Sequence, residues 1–261
     1  MKCSTKSLRT AAAALAAAAL LALPACYSPE KRIREEKRSA SHLALAQRLL
    51  EQRRTQEALG QVDLALKEWK KNPDAWLVRG QVHFSFGDYP TAIEDFSTAM
   101  EHRERFTEAL SWRAWARIES GDPQGGEADY RKALEDRTYP TPEKLHLNLA
   151  LLLFRNGREA EGVAELKEAV RINPAYARGH YELGKAQERG GNLTGAVISY
   201  QAALGGMKDS ADLNLRLGLA LEGTGEGGKA KEYFKRVIDL SPSGPEATTA
   251  REHLARLEPS P

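Results

Sequence analysis

The chain repeats itself about every 34 residues, and that period restricts its fold more than any other feature. Copies begin near Ser39, Pro73, Thr107, Glu143, Ala177 and Ala211, at spacings of 34, 34, 36, 34 and 34 residues. The eighth position of the copies reads Ala46, Gly80, Ala114, Ala150, Gly184 and Gly218. The twentieth reads Ala58, Ala92, Gly126, Gly162, Ala196 and Ala230. Small residues in both columns are what two helices crossing at short distance require. The twenty-fourth column is large and apolar throughout: Val62, Phe96, Tyr130, Leu166, Tyr200, Phe234. The fifteenth is a turn glycine in every copy but the first, where Arg53 stands. A repeat of this length is one helix–turn–helix unit that buries its apolar face only against its neighbours.

These columns resemble the tetratricopeptide repeat, with the best single copy running from Ala75-Trp76-Leu77-Val78-Arg79-Gly80 through Tyr89, Ala92, Phe96 and Ala99. The resemblance implies an all-α chain, a right-handed superhelical solenoid of six repeats with a concave inner face. The expected organisation is repeats at 39–72, 73–106, 107–142, 143–176, 177–210 and 211–243, then a capping helix and tail over 244–261. Pro245 suits the first turn of that cap, and Ala247, Ala250, Leu254 and Leu257 keep a helical spacing on one face.

The first 25 residues read as a secretory leader: Lys2, Lys6 and Arg9, then an Ala/Leu-rich run from Thr10 to Leu23 too short to span a bilayer. Leu23-Pro24-Ala25-Cys26 resembles the bacterial lipobox, with Pro24 an unusual residue in it. That resemblance implies cleavage before Cys26, acylation of the cysteine and no other cofactor. Cys3 would leave with the leader, so the mature chain would hold no disulfide. Removing the three basic residues of 1–25 leaves 35 basic against 36 acidic residues, a net charge of −1. No basic excess remains to neutralise phosphates, which argues against nucleic acid as a partner. Residues 26–38 are read as the lipidated cysteine and a charged tether. Its stretch 27–38 spans about 40 Å if fully extended at roughly 3.3 Å per residue; its basic run is able to touch lipid phosphates, but a solvated charged leader or an extra helical turn is the favoured reading.

Repeat three departs from the pattern with Gly121-Asp122-Pro123-Gln124-Gly125-Gly126, and Tyr139-Pro140-Thr141-Pro142 adds two residues before repeat four. Interior glycines weaken a helix and paired prolines stop one. A joint is therefore expected at 120–142. Chemistry is not visible: no metalloprotease helix, phosphate loop, dinucleotide turn or nucleophile elbow occurs. His42, His146 and His180 share the fourth position of their copies and fall on different helices, which suits packing better than metal ligation. The chain reads as a binding protein, not an enzyme, with no metal and no small-molecule substrate.

In the repeat family, positions 2, 5, 9, 12 and 13 of each first helix line the concave face. The resemblance thus selects Leu77, Gln81 and Phe84 in repeat two, and Ser111, Trp115 and Ile118 in repeat three. Repeat four adds Leu147, Leu151 and Phe154, and repeat five adds Tyr181, Lys185 and Glu188. The apolar and aromatic members form a candidate groove for a helix or extended segment, though the aliphatic ones could equally pack between repeats. The family's clamp for acidic C-terminal tails needs Lys and Asn at positions 5 and 9, then Lys and Arg at 2 and 6, a set that Leu77, Gln81, Ser111 and Trp115 do not supply.

Tyr139-Pro140-Thr141-Pro142-Glu143 before Leu147-Asn148-Leu149-Ala150, and Leu240-Ser241-Pro242 before the cap, resemble the type IV pilus secretin pilotins of the PilF/PilW/Tgl group. That resemblance implies an outer-membrane lipoprotein facing the periplasm, whose partner is the outer-membrane secretin and whose role is to promote secretin assembly. The same lipid-plus-repeat design also fits an adaptor for peptidoglycan hydrolases or a lipoprotein of β-barrel assembly.

Overall fold

The computed structural model describes residues 29–257; the leader and Cys26 lie outside them. Those residues form thirteen helices and no strand. The chain divides into two compact units, Met1–Phe106 and Thr107–Pro261. In the first, α1 (Pro29–Glu51) pairs with α2 (Thr55–Glu68), and α3 (Pro73–Ser85) with α4 (Tyr89–His102). The second holds the pairs α5 (Thr107–Glu119) with α6 (Pro123–Ala133), α7 (Pro142–Arg155) with α8 (Glu159–Ile172), and α9 (Ala177–Arg189) with α10 (Leu193–Met207). It continues with α11 (Ala211–Gly223), α12 (Gly227–Leu240) and α13 (Pro245–Leu257). Among the described residues no helix is long and apolar enough to cross a membrane.

Each pair turns through three residues, and the turn explains the fifteenth column. Gly87, Gly121, Gly157, Gly191 and Gly225 all lie in the left-handed region, at φ between 72° and 93°. The next residue then donates its N–H five residues back, as in Asp88 to His83 O and Asn192 to Gln187 O, which satisfies a carbonyl the helix end would leave open. Arg53 makes the same turn at φ 59°, with Arg54 N bonded to Leu49 O. A side chain in this conformation costs roughly 1–2 kcal/mol, set against the greater freedom glycine loses on folding. Arg53→Gly is therefore expected to stabilise the chain by about 1 kcal/mol, measured as a rise in the urea midpoint. A fall would show that the Arg53 side chain contributes more than its backbone strain costs.

The small columns mark where the paired helices touch. Ala46, Ala58, Ala92, Ala114, Ala150, Ala196 and Ala230 are wholly buried. A Cβ on Gly80 would stand 2.5 Å from the Phe96 ring, one on Gly184 2.5 Å from Tyr200, and one on Gly218 2.7 Å from Phe234. In these copies the glycine at position 8 makes room for an aromatic at position 24. Where position 24 is Val62 or Leu166, position 8 is alanine. Repeat three holds Ala114 and Tyr130, and the relief moves to the other helix. A Cβ on Gly126 would lie 2.8 Å from the Ala114 carbonyl oxygen and 2.5 Å from Ile118.

That placement corrects the expectation of a joint at 120–142. Gly126 serves close packing, Asp122 caps α6 by accepting from Gly125 N at 2.8 Å, and Pro123 fills the first turn. The extra residues form a loop over 134–141 that lies inside the second unit; the chain divides instead between Phe106 and Thr107. Of the readings open for the tether, the helical one holds over its described part. Residues Pro29–Arg38 continue α1 as helix, so they span about 15 Å at 1.5 Å per residue instead of an extended reach.

Apolar cores follow the pairs. In the first unit Leu43, Ala46, Val62, Ala65, Leu66, Ala75 and Val78 pack together. In the second, Leu147, Ala150, Leu166, Leu183 and Ala186 join α7, α8 and α9. A further cluster from α10 to α13 centres on Tyr200, Leu213, Leu217, Leu221 and Phe234.

Candidate partner-binding site

Burial separates the groove candidates into framework and surface. In the first unit Leu77 is only 5% exposed. It is core, which removes it from the contact set. Phe84 is half-buried, its ring 5.3 Å from that of Tyr89; Gln81 is half-buried on the same helix.

In the second unit Leu147, at 3% exposure, is likewise core, and Leu151 packs partly buried against the same cluster. These are corrections with one cause: in α7 the positions that were to face a partner are needed to hold neighbouring pairs together. Phe154 fills the space above Gly162, whose Cβ would lie 2.4 Å from its ring, and Arg189 lies over it at 4.9 Å. Ile118, half-buried, packs on Gly126 in the same way.

Tyr181 is also engaged within the chain. Its hydroxyl donates to Asp212, and Lys185 Nζ lies 5.2 Å from its ring centre. Burial first, then the Asp212 carboxylate, push its phenol up to about 12. Arg216 donates to Asp212 and Glu188 at 3.2 Å, and Lys185 pairs with Glu182 at 3.0 Å. Lys185 and Arg216 stand at two of the clamp positions, yet the protein's own carboxylates already occupy them.

Trp115 remains at the surface, 42% exposed. It stacks on Trp112, with ring centres 5.4 Å apart and planes 22° apart. Its indole N–H donates to Glu119 at 3.3 Å, and Glu119 accepts from Arg155 at 3.0 Å. The result is a broad aromatic face beside a carboxylate and a guanidinium, suited to an apolar segment carrying a polar or charged group. Trp112, Glu119 and Arg155 were missed from sequence. Trp112 stands three residues before Trp115, a spacing that places two side chains together on a helix. Glu119 and Arg155 both occupy position 13, already among the concave columns.

Sequence reading also missed a buried polar column at position 23. Asp95 receives Arg79 Nε at 3.2 and 3.1 Å and Nη2 at 2.6 Å. Asp129 receives Arg113 in the same way and Arg117 at 3.0 Å. Burial pushes the Asp95 carboxyl up from its ordinary value against the opposing pull of Arg79. The fourth-position histidines hydrogen-bond locally: His42 to Gln61 at 2.9 Å, His146 to Glu165 at 2.6 Å, and His180 to the Pro174 carbonyl at 3.0 Å. Among the described residues no group of three or more His, Cys, Asp or Glu could hold a metal ion.

Comparison with known proteins agrees with this architecture. The tetratricopeptide-repeat family model matches residues 43–103, 113–177, 160–212 and 181–245. Among curated relatives, the TPR repeat-containing protein PA4299 of Pseudomonas aeruginosa is 40% identical over 84 residues, 32% of this chain and 33% of that protein. A DnaJ homolog subfamily C member 7 homolog of Schizosaccharomyces pombe is 27% identical over 180 residues, 63% of this chain and 37% of that protein. The chain thus spans about a third of the length of these relatives. Among solved structures, PilW, described as a widely conserved type IV pilus biogenesis factor, is 25% identical with a TM-score of 0.70, covering 82% of this chain and 98% of PilW. The pilF protein of Pseudomonas aeruginosa is 16% identical with a TM-score of 0.72, covering 84% and 98%, which speaks for the fold alone. With the repeat columns, the helix pairs and the family model in agreement, this chain belongs to the tetratricopeptide-repeat family.

Proposed function

We propose that this protein is a lipid-anchored repeat scaffold that captures the secretin of the type IV pilus and promotes its localisation to, and multimerisation in, the outer membrane. The observation that carries the reading is the likeness to PilW, which extends over 98% of that chain. The Leu23-Pro24-Ala25-Cys26 sequence supports the anchor: several acyl chains on one cysteine hold a protein at a membrane where one gives only marginal binding. In this reading the protein works by binding and carries no catalytic group.

The test is affinity capture from detergent-solubilised envelopes with the protein tagged at its C-terminus. A secretin as the dominant captured protein is the expected result. Peptidoglycan hydrolases or barrel-assembly subunits in its place would overturn the cargo while leaving the scaffold. Within the secretin reading, Trp115→Ala is expected to lower the thermal midpoint only slightly, because the residue is 42% exposed. It is expected to weaken capture about 30-fold, the loss of one aromatic hot spot of about 2 kcal/mol. Unchanged capture by the folded variant would exclude Trp115 from the contact.

A further inference from the structure

α1 is 23 residues long, whereas α3, α5, α7, α9 and α11 have 13 or 14. The excess lies before Ser39, at the end nearest Cys26. Two ion pairs at i, i+4 use up both carboxylates of the middle of this overhang: Lys31 with Glu35 at 3.9 Å and Arg32 with Glu36 at 2.7 Å. Arg38 reaches Glu68 at 3.6 Å. Arg34 and Lys37 have no acidic partner among the described residues. They share one helix face with Ile33, which is 50% exposed, and with Glu30, Arg38 and Ser41, all six lining one open depression.

We infer that this face of the α1 overhang is a membrane-contact surface for anionic phospholipid headgroups, with Arg34 and Lys37 meeting the phosphates and Ile33 the interface below them. The inference rests on the proposed lipid on Cys26 for its geometry. Only Tyr27 and Ser28 lie between Cys26 and Pro29, at most about 10 Å of chain, so an acylated Cys26 holds the start of α1 at the headgroup layer. Arg34 and Lys37 then lie about 8 and 12 Å along the helix from Pro29 at 1.5 Å per residue. A polar face without the two unmatched cations would have no reason to remain there; with them it is drawn to an anionic surface. The face thereby fixes how the scaffold stands on the membrane, where the lipid alone leaves it swinging on a short tether.

The experiment uses residues 26–261 with Cys26→Ser, which includes every described helix and no lipid. Binding is read by flotation with vesicles of phosphatidylglycerol mixed with phosphatidylcholine, and with vesicles of phosphatidylcholine alone. Binding is expected on the mixed vesicles only, falling as salt rises. Arg34→Ala with Lys37→Ala is expected to lower it about 25-fold, about fivefold per cation. Lys132→Ala with Lys144→Ala, exposed residues of the second unit, serves as the matched loss of charge and is expected to leave it unchanged. Circular dichroism of each variant should be that of the parent. Equal binding of the parent and the Arg34/Lys37 variant, or equal binding to both vesicle types, overturns the inference. Mass measurement of the N-terminal peptide from membranes separately decides the lipid: an unmodified Cys26 beside a preserved vesicle effect removes the anchor and leaves the headgroup site.

Discussion

Asp95→Ala is expected to destabilise the protein by about 3 kcal/mol, the low end of the cost of removing one partner from a buried ion pair. The carboxylate is 2% exposed and receives Arg79 through three close contacts. Its loss leaves a guanidinium held over the Trp76 ring at 4.2 Å, with only Asp63, 3.6 Å away and largely exposed, to answer its charge. That residual contact is why the lower bound applies. The pair itself is a weak source of stability, since burial already pushes the Asp95 carboxyl up despite Arg79. The double change Arg79→Leu with Asp95→Leu is therefore expected to recover most of the loss, because it removes both charges from the interior. Leucine occupies the position equivalent to Arg79 at Leu149, Leu183 and Leu217. The measurement is the urea midpoint at constant slope for Asp95→Ala and for the double. A single-variant loss below about 1 kcal/mol, the range of exposed pairs, would show that Arg79 and Asp95 act as a surface pair.

Gly80→Val is the second large effect, an expected loss of about 2–3 kcal/mol from overpacking. The first added carbon would meet Phe96 at 2.5, 2.7 and 2.9 Å, all closer than carbon atoms pack. The ring has no open space to retreat into, since Phe96 is fully buried. The cause is thus a pairwise exclusion between positions 8 and 24, and it predicts a rescue. Phe96→Leu reproduces the composition of repeat four, where Ala150 faces Leu166. In that background, exchanging Gly80 for alanine is expected to stabilise the helix by about 1 kcal/mol, the ordinary difference in helix propensity. In the parent the same exchange is expected to destabilise. Equal effects in the two backgrounds would mean that the glycine is kept for some reason other than the aromatic ring.

Much of the fold was legible because both devices that build it are local in sequence. A turn residue in the left-handed region announces itself as glycine, and a close helix crossing announces itself as alanine or glycine; six copies in register place both without any tertiary information. The site was less legible. Trp115 was selected by its concave position, but so were Phe154 and Tyr181, which the structure engages within the chain. Leu77, Leu147 and Leu151 occupy the same columns, but Leu77 is buried and Leu147 and Leu151 join neighbouring pairs; only packing distinguishes a leucine that faces a partner from one that faces the core.

The sequence by itself determined the six helix pairs, their turns and the N-terminal Cys26 signature, since each depends on residue type at a fixed spacing. The tertiary structure alone decided the rest. It placed the division of the chain at Phe106/Thr107, and it made Gly125 and Gly126 part of α6, the first bonded to the capping Asp122 and the second packed on Ala114 and Ile118. It also chose helix among the readings open for the charged tether and buried Asp95 and Asp129 against Arg79 and Arg113. Burial, capping and ion pairing between residues 16 or more apart depend on which helix faces meet, and that is settled only when the pairs have packed.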